Sequence, residues 1–140
     1  KSYEETSKKE FIVNYDQNSN PLNITKSIEI VYGLRNFIGN ANKFSKTKIF
    51  INIKSDDLFT EIVIEDDGEG YPADVLRKIG EPYIKSYKSF NKSKSGMGLG
   101  IFIGKTLLEK NYANILCRNS KTRTGAEVSI KWQNKDFLSL

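Results

Sequence analysis

Apolar residues recur along this chain with two different periods, and the places where the period changes mark out its elements. From Ile28 to Phe44, the residues Ile30, Val31, Leu34, Ile38 and Ala41 fall at helical spacing, with Phe37 widening the stripe, which predicts a helix. Thr25 or Ser27 can cap its start. Residues 47–54 alternate instead, with Ile49, Ile51 and Ile53 on one side. Residues 58–65 alternate again, with Leu58, Ile62 and Ile64 in phase. The turn Ser55-Asp56-Asp57 between them predicts an antiparallel pair. A short helix is expected from Pro72 to Lys78 and an apolar one over 99–110. Ile115 and Leu116 belong to a strand. Ala126, Val128, Ile130 and Trp132 alternate on another, after a turn ending at Gly125. Near the start, Phe11-Ile12-Val13 reads as an edge strand, and Pro21 with its Asn-rich surroundings as a loop. Residues 80–98 have no clear period, and Asp136 to Leu140 reads as a tail.

The resulting order is strand, helix, strand, strand, helix, long loop, helix, strand, strand. It departs from strict βαβ alternation. It predicts an α+β two-layer sandwich, a mixed but mostly antiparallel sheet covered on one face by about three helices. The chain shows no internal repeat. Its 140 residues suit a single domain spanning 1–140.

Composition narrows the chemistry. At 38% hydrophobic and 28% charged the chain can bury one core and stay soluble, and no apolar run approaches the length that spans a bilayer. The first residues do not read as a signal peptide. The single methionine is Met97, so the chain, which starts at Lys1, is expected to be a fragment of a longer protein. Cys117 is the only cysteine, so no internal disulfide forms. Histidine is absent, which excludes a His-based metal site, a Ser/His/Asp triad and a Cys/His dyad together. The net charge of +5 suits an anionic partner, either nucleic acid or phosphates, and equally fits a compositional bias toward Lys, Asn and Ile.

Four stretches carry candidate chemistry. On the long helix, Asn36, Asn40 and Lys43 share one face. Asparagine is a poor helix former, so two of them one turn apart ask for a reason. An amide oxygen is a neutral, hard ligand suited to a magnesium ion that keeps several waters, and Lys43 could meet a phosphate. A solvated helix face gives the same pattern. The second stretch, Asp66-Asp67-Gly68-Glu69-Gly70, follows a strand. Its glycines allow close approach of a ligand, and Asp66 can accept a hydrogen bond from an amine such as that of adenine. An acidic surface turn is the plain alternative, and the calcium-loop spacing fails for lack of a downstream bidentate Glu. Third, Gly96-Met97-Gly98-Leu99-Gly100 leads into an apolar helix, where backbone N–H groups and the helix dipole favour an anion. This spacing is not the dinucleotide fingerprint, and Gly100 to Gly104-Lys105-Thr106 is one residue short of a Walker A loop. Fourth, the basic loop carries Lys85, Lys88, Lys92 and Lys94 among serines and opens with Gly80-Glu81-Pro82-Tyr83. It could close over a triphosphate or remain a basic surface loop.

Taken in order, these stretches resemble the boxes of the sensor histidine kinases. Asn36 to Phe44 resembles the N-box, Asp66 to Gly70 the first Gly box, Glu81-Pro82-Tyr83 the F-box with Tyr83 in place of Phe, and Gly96 to Gly100 the second Gly box. Gly125-Ala126 stands where the family often has its last glycine-containing turn. The match covers residues 11–133 and implies the Bergerat sandwich of the GHKL superfamily. Within it, Gly33-Leu34, Gly80 to Tyr83 and Gly96 through Leu108 resemble the RegB/PrrB type of redox-responsive kinase.

The resemblance implies ATP and Mg2+ as cofactors. It makes Asn40 the metal ligand, with Asn36 near the phosphates or the metal's waters, Lys43 on a phosphate and Phe44 near the adenine. Asp66 would bind the adenine amine in a pocket shaped by Gly68 and Gly70, and Tyr83 would be a further nucleotide-binding residue. Gly96, Met97, Gly98, Leu99 and Gly100 would border the phosphates, and residues 84–95, within a loop of about 80–98, would form an ATP lid. Related ATPases carry a glutamate where Asn36 stands; an amide cannot serve as general base, which favours phosphoryl transfer over hydrolysis. Glu29, two turns earlier, is read as an ordinary first-turn acid.

The implied partners are a histidine-bearing dimerisation domain of the same kinase and a response regulator. The parent would be a homodimer anchored in the inner membrane through parts absent here, with this domain cytoplasmic and no nucleic acid bound. A serine kinase of the anti-sigma-factor type or another GHKL ATPase, and a basic nucleic-acid-binding module, are the alternatives. Cys117 is expected to be a small core residue.

Overall fold

A computed structural model describes residues 9–15, 28–79, 97–122 and 124–138 of the chain. Among the described residues nine elements follow one another: β1 (Glu10–Tyr15), α1 (Ile28–Phe44), β2 (Lys48–Ser55), β3 (Phe59–Asp66), α2 (Ala73–Ile79), α3 (Met97–Lys110), β4 (Asn114–Asn119), β5 (Ala126–Gln133) and α4 (Asn134–Leu138). The five strands form one sheet in the order β1-β2-β3-β5-β4. Only β1 and β2 run parallel, and every other pair is antiparallel. The two-layer α+β architecture expected from the alternating patterns is the one observed.

Strand alternation sorts the sheet into two faces. Ile49, Ile64, Val128, Ile130 and Trp132 are buried on the face that meets the helices, with Phe11, Ile51, Ile62, Ile115 and Cys117 packed around them. The other face carries polar pairs such as Arg118 with Glu127, whose charged groups approach to 2.6 Å. The register sets Ile49 opposite Asp66, so the inner row that begins with Ile49 ends on a carboxylate at the edge of the core.

α1 and α3 pack antiparallel over the sheet. Glu29 bonds Lys110 at 3.0 Å, Gly33 lies under Leu108, Phe37 under Gly104 and Asn40 beside Gly100. Neither Gly33 nor Gly104 leaves room for a side chain: a Cβ on Gly33 would lie 2.6 Å from Leu108 Cγ, and one on Gly104 would lie 2.8 Å from the Phe37 ring. The glycines therefore let the two helices approach at backbone distance. The buried stripe of α1 is Ile30, Gly33, Phe37 and Ala41, whereas Val31, Leu34 and Ile38 are only half-buried. The sequence pattern centred the stripe one residue off because it did not count Gly33 as an apolar contact.

Three further expectations are corrected. Leu58 is exposed and lies in the turn, because Asp56 Oδ1 accepts the N–H groups of Leu58 and Phe59, both at 2.8 Å, and starts β3 after it. The supposed tail begins with α4, a helix of 5 residues, too short to show periodicity. Asn134 anchors it under the hairpin: its amide donates to the Asp56 carbonyl at 2.6 Å and accepts from the Thr60 hydroxyl at 2.7 Å. Finally, α3 begins at Met97 rather than at Leu99. Among the described residues no helix is long and apolar enough to cross a membrane.

Candidate nucleotide site

The end of the sheet at which β3 finishes is built around Asp66, the last residue of that strand and only 5% exposed. Its Oδ1 accepts the N–H of Gly68 at 2.8 Å and that of Ala126 at 3.3 Å. Its Oδ2 takes no hydrogen bond from any described residue. Burial pushes the Asp66 carboxyl above the usual aspartate range. The two N–H groups oppose that, the neighbouring charge of Asp67 adds to it, and the Lys9 ammonium again opposes it. The result is a buried carboxylate with one oxygen committed to the backbone and the other available.

Close backbone approach explains the glycines around it. A Cβ on Gly125 would lie 1.9 Å from the Asp66 carbonyl oxygen, and one on Gly68 would lie 2.2 Å from the Phe44 carbonyl oxygen. Gly70 has φ +88°, a conformation that side chains rarely adopt. The turn from Asp66 to Gly70 is thus pressed against the C-terminal end of α1 on one side and the start of β5 on the other.

Of the residues singled out on α1, Asn40 is half-buried, with Oδ1 3.8 Å from where a Cβ on Gly100 would stand. Gly100 is in the first turn of α3, together with Met97, Gly98 and Leu99. That turn's leading N–H groups have no acceptor within the helix and make it a place for an anion. Phe44 is half-buried against the core, and the exposed Lys43 has its ammonium 5.2 Å from the Phe44 ring centroid. Asn36 turns away from the others: its amide donates to the Tyr32 carbonyl of its own helix at 2.8 Å. Tyr83, Gly96 and the expected lid lie outside the described residues.

No cluster of His, Cys, Asp and Glu among the described residues could hold a metal by itself. Asn40 offers one neutral oxygen beside an anion-favouring helix start. Such a donor set fits a magnesium ion that takes most of its ligands from phosphates and water.

Two supporting residues escaped the sequence reading. Asp67 accepts the N–H of Lys46 at 2.8 Å, the N–H of Thr47 at 3.0 Å and the Thr47 hydroxyl at 2.7 Å. Partial burial alone would raise its pKa, but the bonds from Thr47, Lys48 and Lys46 outweigh burial and hold it well below the usual range. Asn119, at the end of β4, imitates a strand neighbour for Tyr71, accepting from its N–H at 2.6 Å and donating to its carbonyl at 3.3 Å. The repeated acid at 66–67 was the one available signal for Asp67. An Asn closing an alternating strand carries none.

The remaining candidates sit elsewhere. Lys105 is inside α3 and pairs with Glu109 at 3.1 Å, so the resemblance to a Walker loop is a helix-packing glycine followed by a surface ion pair. Glu29 bonds Lys110 and Asn111 at the far end of the helix pair. Cys117 faces the core, and burial pushes its thiol up to about 12, with a hydrogen bond to Tyr71 opposing, so it is a protonated, weakly reactive side chain.

Comparison with known proteins bears on the family and the fold. Residues 25–136 match the family described as histidine kinase-, DNA gyrase B-, and HSP90-like ATPase. Over 125 residues the chain is 35% identical to the sensor histidine kinase RegB of Cereibacter sphaeroides, an alignment covering 78% of this chain and 27% of that protein. The chain therefore spans about a quarter of the length of this relative. In fold it resembles the catalytic domain of the histidine kinase ThkA, with TM-score 0.73 at 19% identity, covering 96% of this chain and 88% of that one. It also resembles full-length ShkA in complex with AMPPNP, with TM-score 0.62 at 21% identity, covering 87% of this chain and 25% of that one.

Proposed function

Since the chain belongs to the histidine kinase-, DNA gyrase B-, and HSP90-like ATPase family, we propose that it is the ATP-binding catalytic domain of a sensor histidine kinase. It would transfer the γ-phosphoryl group of ATP to a histidine carried on a separate segment. The strongest support is the antiparallel packing of α1 on α3, which brings Asn40 beside the first turn of α3 while Asp66 stays buried at the strand end. An adenine amine donating to Asp66 Oδ2 and a phosphate chain at Met97–Gly100 fit those two points.

In this reading Asp66 selects adenine by accepting its amine. Phe44 and the Gly68 turn wall the base. Asn40 holds magnesium, which when bound neutralises charge on the phosphates. Lys43 meets a phosphate, and the N–H groups opening α3 stabilise charge on its oxygens. Transfer breaks the bond between the γ-phosphorus and its bridging oxygen and forms a phosphorus–nitrogen bond to an incoming imidazole. Asn36 has no proton-accepting group at neutral pH, so the domain does not activate water, and its contribution is positioning and charge stabilisation. The histidine must come from elsewhere, because the chain has none. A dimerisation domain of the same kinase would supply it, and a response regulator would receive the phosphoryl group next. The parent would be a membrane-anchored homodimer.

Titration of ADP into the chain with and without magnesium tests the site. Binding is expected with both, stronger with magnesium, and Asn40→Asp should change the magnesium dependence. Transfer is tested by adding a separately prepared histidine-bearing domain and labelled ATP. A chain that binds ADP but labels no histidine in any combination would refute the kinase assignment while leaving the nucleotide site intact.

A further inference from the structure

Lys9 stands just before β1, far in sequence from every Asn- or Gly-containing stretch of the site. Its ammonium nevertheless donates to the carbonyls of Asn42 and Ser45, the latter at 2.8 Å. Asn42 is in the last turn of α1, and Ser45 follows the helix, its N–H bonded to the Ala41 carbonyl at 2.9 Å. Carbonyls at a helix C-terminus lack intrahelical donors and carry the negative end of the dipole, so a cation there is doubly favoured. The next residue, Glu10, donates its N–H to the Thr47 carbonyl at 2.8 Å and begins the parallel pairing with β2.

From the other side Asp67 holds the N–H groups of Lys46 and Thr47. The connection between α1 and β2 is thus gripped by a cation from before β1 and a carboxylate from after β3. Phe44 lies inside that grip, and its carbonyl oxygen is the surface against which Gly68 closes. Asn40 and Lys43 are on the same final stretch of helix.

We propose that Lys9 is a positioning residue for the nucleotide site: by clamping the C-terminal end of α1, it sets where Asn40, Lys43 and Phe44 stand relative to the Asp66–Gly70 turn. This rests on the nucleotide reading above. The Lys9 charge also acts on Asp66, opposing the effect of its burial. Through Lys9 the start of β1 is tied to the helix that carries Asn40, Lys43 and Phe44.

The experiment titrates ADP with magnesium into the unsubstituted chain, Lys9→Met, Lys9→Arg and Asn134→Ala, each well below its melting midpoint. Asn134 bonds Asp56 and Thr60 at the opposite end of the β2–β3 hairpin, so Asn134→Ala controls for general destabilisation. Lys9→Met should weaken ADP binding roughly three- to tenfold, the net scale of one ordinary hydrogen bond. Lys9→Arg should restore most of it, and Asn134→Ala should lower the midpoint without moving the ADP affinity. Amide exchange at residues 45–47 should accelerate in Lys9→Met. If that variant does not fold, Lys9→Gln, which keeps a donor and drops the charge, is read in the same way. ADP affinity equal to that of the unsubstituted chain in the neutral variant overturns the proposal, and so does an equal loss in Asn134→Ala, which would make Lys9 a stability residue only. A chain that binds no ADP at all overturns the nucleotide reading and this proposal with it.

Discussion

Phe37 occupies the space in which a side chain on Gly104 would lie: a Cβ built there falls 2.8 Å from one ring carbon and 3.0 Å from another, with the Gly33 carbonyl oxygen at 3.1 Å. Phe37 is almost fully buried and cannot swing away, and the carbonyl belongs to a helix backbone. Gly104→Ala should therefore destabilise the domain. Overpacking costs about 1–3 kcal/mol, against a gain of up to about 1 kcal/mol from the better helix propensity of alanine. A fall in the urea midpoint with an unchanged slope is expected. Because the same helix contact continues to Asn40 and Gly100, nucleotide affinity should fall as well.

Asp66 should separate binding from stability. Its folded pKa is raised above the ordinary 3.8, so the ionised side chain costs stability once the pH rises past its folded pKa. Asp66→Asn removes that buried charge and keeps an oxygen for the N–H groups of Gly68 and Ala126. The variant should melt no lower than the unsubstituted chain at neutral pH, yet bind ADP at least about tenfold more weakly. In the unsubstituted chain, ADP affinity should decline with acidification earlier than an ordinary aspartate would predict. Calorimetric titration across pH, paired with thermal melts, reads both. Equal ADP affinity in the variant would remove Asp66 from the site.

Asp67 has the opposite sign. Its folded pKa is depressed below the ordinary 3.8, so its stabilisation is present above that value and lost as the pH falls through the folded pKa. Asp67→Asn should lower stability near pH 7 by about 1–2 kcal/mol, the scale of weakened bonds to the Lys46 and Thr47 N–H groups. The difference from the unsubstituted chain should shrink as the pH drops below about 4. Denaturant unfolding at a series of pH values tests this, and a constant difference down to the acid limit would contradict it.

Tyr112 ends α3 with φ 73°, in the position after a helix where glycine is usual. The N–H groups of Tyr112 and Ala113 bond the carbonyls of Glu109 and Leu108 at 3.1 and 3.0 Å, closing the helix in a Schellman turn. The side chain is 57% exposed, so it contributes little packing. Tyr112→Gly should raise stability by about 0.5–1 kcal/mol, relief of left-handed strain minus the added freedom of the unfolded chain. A thermal midpoint no higher than that of the unsubstituted chain would show that the tyrosine ring makes a compensating contact.

Asn119 holds Tyr71 through two backbone hydrogen bonds and lies where a Cβ on Gly70 would collide with it. Asn119→Ala should leave the Tyr71 N–H without its acceptor and lower stability by about 1–2 kcal/mol. It should also weaken ADP binding, since the Asp66–Gly70 turn loses its outer support. Leucine at the same position should do the same without restoring either property.

Much of the fold was legible because alternation and helical spacing are local patterns. β2, β3 and β5 and the helix from Ile28 to Phe44 could be read directly, since each buries one continuous face. The Asp66–Gly70 turn and the glycines in the first turn of α3 could be read because tight turns and anion-binding helix starts need those residue types at those spacings. Leu58 misled because an apolar residue in phase with a strand is indistinguishable from one in the turn before it. Asp56 makes the difference through hydrogen bonds that periodicity does not register.

What the chain's residue order determined by itself was the element order as far as β5, the buried faces of the strands and the local stretches proposed for a nucleotide, along with the absence of any histidine. Tertiary structure alone decided which distant residues meet. Gly104 became a contact because Phe37 packs on it, Asn40 came to lie beside Gly100 because α3 starts there, and Lys9, Asp67 and Asn119 meet their partners because β1 begins, and β3 and β4 end, at the same end of the sheet. The physical reason is range: a backbone period is set by neighbours along the chain. Close packing and hydrogen bonding depend on register and helix crossing, which exist only once the sheet and the helix pair have formed.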